Sequence, residues 1–322
     1  MADQSSSEFR YYHHSGQFSP GGALVALFLG LLVGVPVAFG YAWLIHWDPI
    51  IYINGIAAVL FGLLLGTLTE KFLVSRKCRS ATVAGAVAFL VALGSYYFSW
   101  AVWLNATMTR GSILDFLKPL NMLGVILLVN EQGVWTDHGD AIKGALLWVV
   151  WAAEAGIILG CAVYMATHEM LEATFCEGCE MWAKEQEGVC TVAAGTAPPV
   201  TDKAGFWDYF KGLKQHAADL KTRLENKDLA YIEQLGPVGP DTIAWYRLDL
   251  HSCPQCNMTH TLRVTRFMRR IKGKKVQKQT DDKEVLRQLL LSSSEAETVR
   301  KLGQKEYADD DDDDEDEVEV KK

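Results

Sequence analysis

Four long apolar runs, at 22–45, 50–68, 81–104 and 141–166, dominate the first half of this 322-residue chain and decide what it can fold into. Crossing the hydrocarbon core of a bilayer takes about 20 apolar residues at about 1.5 Å of rise each, and every run approaches or exceeds that length. In lipid the backbone must satisfy its own hydrogen bonds, so such runs are helices. One run alone could be a buried helix of a soluble protein; four in succession imply a multi-pass, all-α transmembrane bundle. A fifth stretch, 113–129, is interrupted by Asp115, Lys118, Pro119 and Asn121 and reads as an interfacial or re-entrant helix rather than a span.

Charge sets the expected orientation. The loop between the second and third runs carries Lys71, Arg76, Lys77 and Arg79 against Glu70, which places it in the cytoplasm by the positive-inside bias. The loop before the fourth run balances Arg110 and Lys118 with Asp115, Glu131, Asp137 and Asp140. Four spans then leave both termini cytoplasmic. Residues 1–20 are polar, contain Asp3 and Glu8, and lack the basic start of a cleavable signal, so the first run reads as a retained anchor.

Small residues four apart let helix backbones approach closely in lipid. Gly30 and Gly34, Gly62 and Gly66, and Ala152, Gly156 and Gly160 have that spacing, which serves packing inside the bundle or a homo-oligomer contact. Glu154 is the one ionisable residue deep in a run. A carboxyl there needs a partner, a cavity or a proton path; the structural reading is a protonated Glu hydrogen-bonded to a neighbouring helix, for instance to Ser95 or Ser99.

The second half is charged throughout. Much of the net charge of −8 comes from Asp309–Asp314 with Glu315, Asp316, Glu317 and Glu319. The expected layout is a polar N-terminal segment (1–20), a transmembrane domain (21–168), a cytoplasmic α+β domain (169–303) and a disordered acidic tail (304–322). Within the α+β domain the last span continues as a helix through 167–175, and 190–205 reads as a loop. An amphipathic helix is expected over 206–234 and strands over 242–250 and 261–268. A terminal helix over 281–302 would carry Val285, Leu286, Leu289 and Leu290 on one face.

Of seven cysteines, four form two Cys-x-x-Cys pairs, Cys176/Cys179 and Cys253/Cys256, while Cys78, Cys161 and Cys190 are scattered. That pattern suits a reducing compartment and a metal rather than a disulfide scaffold. Two thiolates at each of two tight turns can converge on one tetrahedral cation, for which zinc is the default. The expectation is one structural Zn2+ per chain in a zinc-ribbon-like domain with a helical insertion, with Gly178 supplying the turn of the first pair. The same ligands could hold rubredoxin-like iron; a dithiol redox pair would need a strand–helix context that Cys253 and Cys256 lack. His168, Glu172 and Cys176 also stand four apart, a pattern common on any helix emerging into water.

A basic arm follows the second pair: Arg263, Arg266, Arg269, Arg270, Lys272, Lys274, Lys275 and Lys278. Anionic lipid head groups, an acidic partner segment or the acidic tail itself could meet it. The absence of interleaved aromatics and of a recognition helix argues against nucleic acid.

Tyr12-His13-His14-Ser15-Gly16 before the first run, Tyr41-Ala42, Pro49-Ile50-Ile51-Tyr52-Ile53-Asn54, and Phe175-Cys176-Glu177-Gly178-Cys179 with Trp182 and the later Cys253/Cys256 pair together resemble uncharacterised bacterial four-span membrane proteins. The likeness covers most of the chain outside the acidic tail; Asn257 stands where glycine is common. It implies the architecture and a bacterial inner-membrane location, and no activity. No nucleotide-binding glycine loop, His-Glu-x-x-His or nucleophile elbow is present, which argues against an enzyme. The expected role is a membrane-anchored adaptor or scaffold presenting a zinc domain to a cytoplasmic protein partner; the alternative is a small channel or transporter built on Glu154.

Overall fold

The computed structural model describes residues 10–47, 51–108, 112–137, 140–195, 203–239, 242–272 and 275–311. Three long helices come first, α1 (Pro20–Trp47), α2 (Ile51–Ser75) and α3 (Ala81–Thr107), the last capped by Ser80, whose hydroxyl accepts from the Val83 N–H. The interrupted stretch is a broken helix. A single turn, α4 (Ile113–Phe116), stops at Leu117, and Pro119 opens α5 (Pro119–Gln132), where its fixed φ and missing N–H suit a first helical position. Then come a hairpin, β1 (Val134–Asp137) and β2 (Asp140–Ile142), and the fourth long helix, α6 (Ala145–Glu172). Helices α1, α2, α3 and α6 are long and apolar enough to cross a membrane.

The fourth helix starts later than its apolar run. Ala141 and Ile142 pair with Thr136 and Val134, and Gly133 (φ 88°) and Gly144 (φ 67°) turn the chain on either side of that hairpin. The helix also ends at Glu172, so Phe175 and Cys176 lie in a strand and not on its last turn.

Inside the bundle the small-residue spacing is packing. A Cβ at Gly62 or Gly66 of α2 would come within 2.5 Å of the Ile158 or Ala162 carbonyl of α6. Gly30 and Gly34 of α1 instead face the side chains of Val91 and Ser95 of α3. The third stripe differs: Ala152, Gly156 and Gly160 are exposed, and open space surrounds both glycines.

The chain divides into two compact units, His14–Leu171 and a second made of Met1–His13 with Glu172–Lys322. The second contains a two-stranded hairpin, β3 (Phe175–Cys176) and β4 (Met181–Trp182). Its main sheet is four-stranded and antiparallel in the order β5 (Lys184–Ala193), β6 (Ala244–Ser252), β7 (His260–Lys272), β8 (Lys275–Leu291). Helices α7 (Lys203–Glu225), α8 (Ala230–Glu233) and α9 (Ser293–Asp311) complete it. Alternation along β6 sends Ala244, Tyr246, Leu248 and Leu250 into a core with Leu213, Leu220 and Leu224 of α7. The other face carries Trp245, stacked on Phe267 at 5.8 Å, and Arg247, whose Nε lies 2.9 Å from the fully buried Asp249 carboxylate.

Several expected boundaries move. Cys190 lies in β5 rather than in a loop, and the amphipathic helix breaks at Asn226-Lys227-Asp228, with Lys227 at φ 65°. Of the expected helix over 281–302 the first half, through Leu291, is strand β8, and the second half is helical from Ser293. The reason is a bulge. Leu262 pairs with Leu289 and Val264 with Leu286, so three steps on β8 oppose two on β7. Gln288 (φ 52°) absorbs the extra residue, and Leu286 and Leu289, three apart as on a helix, both face the core. Helix α9 runs on through Asp311, past residue 304 where the acidic tail was expected to begin; 312–322 lie outside the described residues. It packs so closely on β5 that a Cβ at Gly303 would overlap the Val189 carbonyl.

The N-terminal segment is part of the sheet domain. Tyr11 bridges to Leu289, the Tyr12 N–H donates to the Gln288 carbonyl and the Leu290 N–H to the Arg10 carbonyl, covering the free edge of β8.

Candidate metal centre

Both cysteine pairs sit on turns that the local sequence shapes in the same way. The residue after the second cysteine of each pair is left-handed, Glu180 at φ 50° and Asn257 at φ 51°. Gly178, expected to make the first turn, has no positive φ; Glu180 makes it instead. The first pair lies on the β3–β4 hairpin, where Cys176 pairs with Met181. The second is closed by the Cys253 N–H to the Thr259 carbonyl (3.0 Å) and the Asn257 N–H to the Cys253 carbonyl (3.1 Å). A hydrogen bond of 2.7 Å between the hydroxyls of Thr174 and Thr261 ties the first hairpin to β7.

These turns bring Cys176, Cys179, Cys253 and Cys256 together, with all four sulfurs within 4.8 Å of one another. Cys176 Sγ is 3.7 Å from Cys256 Sγ. A tetrahedral site with metal–sulfur bonds of about 2.3 Å has sulfur–sulfur edges of about 3.8 Å, so the spacing fits such an ion. It does not fit a disulfide, whose bond is about 2.05 Å, and all four cysteines are free thiols. Burial pushes the Cys176 thiol up, but hydrogen bonds from Thr259, the Cys179 backbone, Cys253 and Cys256 outweigh it and bring it down to about 6. Cys179 is pushed up to about 12, first by its bond with Cys256 and then by burial and the other thiols. Thiols bind a metal as thiolates, so a cation at the centre of the cluster would release protons.

Residues that spacing alone does not reveal support the cluster. Thr259 donates to Cys176 Sγ at 3.2 Å. His260, fully buried, is not among the clustered ligands. Its Nε2–H donates to the Asn257 carbonyl and its Nδ1 accepts from the Ser252 hydroxyl, both at 2.8 Å, and Arg300 donates to Ser252 at 2.7 Å. Burial holds His260 below the ordinary histidine value, which keeps the ring neutral and this chain of bonds intact. Glu172 joins no metal set: it pairs with Arg287 at 3.0 Å and Arg263 at 3.5 Å.

Within the bundle unit Glu154 has a different partner from the one expected. Tyr41 donates to its Oε1 at 2.5 Å, while Ser99 bonds to the Tyr96 carbonyl and the Ser95 hydroxyl has no partner among the described residues. A cavity of about 30 Å³ adjoins the carboxyl, lined by Tyr41, Tyr96, Trp100, Trp103 and Trp151.

The basic arm is dispersed by its strand. Arg263 faces Glu172 and Glu284, Arg269 lies over the Trp245 ring at 5.7 Å, and Arg266 donates to the Leu213 carbonyl. Lys274 and the side chains of Arg270, Lys272, Lys275 and Lys278 lie outside the described residues. No family model, curated protein or solved structure matches this chain.

Proposed function

We propose that the protein is a membrane-anchored adaptor: the bundle fixes its position, and a zinc-ribbon-like domain presents a surface to a protein partner. The observation that carries this reading is the closed four-sulfur cluster. Four thiolates fill the coordination sphere of Zn2+ and leave no position for a substrate, so the ion would hold the two turns together rather than do chemistry. Elemental analysis of the purified chain tests it, with one equivalent of zinc expected. Less than half an equivalent of any metal, unchanged in Cys253→Ser, would sink the site; iron in place of zinc would replace the ion but keep the structural role. Capture of a specific partner from native membranes, lost in Cys253→Ser, would establish the adaptor.

Both termini are proposed to face the cytoplasm of a bacterial inner membrane. The basic loop at Arg76, Lys77 and Arg79 supports the orientation. A further support is covalent logic. Arg10–Tyr12 precede the first span, yet hydrogen-bond to β8, beyond the last. Ends that pair lie on one side of a membrane, which supports an even number of spans and the reading of α4 and α5 as a segment that does not cross. Labelling of the sheet domain by an impermeant thiol reagent in intact cells would reverse this topology.

The second reading, a small transporter, rests on the aromatic-lined cavity beside Glu154. Proton or cation flux in vesicles that disappears in Glu154→Gln, with unchanged detergent stability, would favour it over the adaptor.

A further inference from the structure

The sheet scatters the basic arm, yet Arg266 ends in a cationic groove that the linear order of the chain conceals. The groove, about 170 Å³, lies between α7 and strands β7 and β8 and is walled by Lys214, Lys221, Arg266 and Lys283. Two alanines of α7 keep its wall low between the two lysines. Lys214 and Lys221 stand two turns apart and so share one face of α7.

The arrangement is unfavourable by itself. Arg266 and Lys283 are direct partners across β7 and β8, where like charges repel. The one acid lining the groove, Glu284, already pairs with Arg287 at 2.9 Å and with Arg263 at 3.7 Å. Lys221 reaches Glu225 at 3.8 Å, the outer limit of an ion pair, and Glu225 also accepts from the Tyr11 hydroxyl. Arg266 uses one guanidinium nitrogen on the Leu213 carbonyl, while its buried Nε has no hydrogen-bond partner among the described residues. A buried donor left unmade is costly.

We infer that the groove binds a phosphate group. A ligand with about two negative charges and several acceptor oxygens would relieve the repulsion between Arg266 and Lys283. A single carboxylate brings half that charge. The phosphate could be free in solution, on a small phosphomonoester, or the head group of a phosphatidic-acid-type lipid; the chemistry read by the groove is the same. The site is independent of the zinc cluster and of the adaptor role.

Calorimetric titration of the full chain in neutral detergent at low salt tests this, with inorganic phosphate as one probe and short-chain phosphatidic acid as the other. Saturable binding of both probes, or of either alone, is expected, the pattern identifying the source of the phosphate. Lys283→Glu should weaken it by about tenfold or more, because the substitution replaces an attractive charge in the groove wall with a repulsive one. Should Lys283→Glu perturb the sheet, Lys214→Gln on the exposed helix carries the test, with a smaller loss expected. Lys211→Glu is the control: Lys211 faces Asp208 at 3.6 Å, outside the groove. Absence of binding by both probes would overturn the proposal, and so would equal weakening by Lys211→Glu and Lys283→Glu, which would mark a general charge effect.

Discussion

Along the seam between α1 and α3 of the bundle the buried residues are mostly small, Ala26, Gly30, Gly34 and Ala38 against Ala84, Ala88 and Ala92, while Leu24, Phe28, Leu32 and Leu60 point outward. In the sheet domain the order is reversed: Leu220, Leu224, Tyr246, Leu248 and Leu250 are fully buried, and among the described residues only Trp207 and Met258 are large, apolar and exposed. One chain thus follows two solvents. Lipid makes large apolar side chains indifferent to burial, so helices associate through close backbone approach; water drives the largest apolar side chains together. The polar groups differ in step. Among the described residues Tyr41 donates a hydrogen bond to Glu154, whereas Asp249 is held by Arg247 and the Gly188 N–H, and Glu172 by two arginines.

The largest expected effect separates the two regions outright. On the proposed metal site, Cys253→Ser or a strong chelator should cost the sheet domain metal-binding free energy on the order of 10 kcal/mol. Its cooperative melting should vanish while the helical signal of the bundle in detergent persists. Joint loss of both transitions would mean that the regions fold as one.

Next are the two kinds of packing. Gly62→Leu drives a side chain into the Ile158 carbonyl, 2.5 Å from the position of its Cβ, and backbone cannot yield cheaply. A loss of about 3 kcal/mol or more is expected in detergent unfolding of the bundle. Leu248→Ala should destabilise the sheet domain by about 2–5 kcal/mol through the cavity it leaves. A tolerated Gly62→Leu would break the contrast drawn between small and large interiors.

Tyr41→Phe removes the donor to Glu154 and should lower bundle stability by about 1–3 kcal/mol. Glu154→Gln keeps an acceptor for Tyr41 and should stay near wild type. An equal loss in both variants would show that the ionised or protonated carboxyl, and not the hydrogen bond, is what the bundle requires.

The smallest effect is a pH response confined to the sheet domain. Burial holds His216 and His260 below their ordinary 6.5. Below that pH the unfolded chain takes up protons that the folded domain refuses, so stability is complete above 6.5 and falls as pH drops through the lowered folded values. Melting of the sheet domain at constant excess zinc, from pH 7.5 to 5.5, measures it. No change in the His216→Gln, His260→Gln double variant relative to wild type would sink the assignment.

Run length and residue type were enough to determine the four helices and the four cysteines that cluster. A bilayer accepts only segments whose backbone bonds are internal, and no order of packing can make an apolar run of that length polar. Cysteines paired with two residues between them likewise declare themselves, because few other chemistries need that spacing. Tertiary structure alone decided the rest. The Leu286/Leu289 spacing reads as a helix until the bulge at Gln288 turns it into strand, since a bulged strand and a helix bring nearly the same positions to one face. Glu154 could have met any hydroxyl on a facing helix; helix rotation gave it Tyr41. The basic arm reads as a continuous patch, but strand alternation sent Arg263 to acids, Arg269 to an aromatic ring and Arg266 into a groove with lysines from α7 and β8. Local pattern specifies what a segment can be; which neighbour its side chains meet depends on register and rotation, and those are properties of the assembled fold.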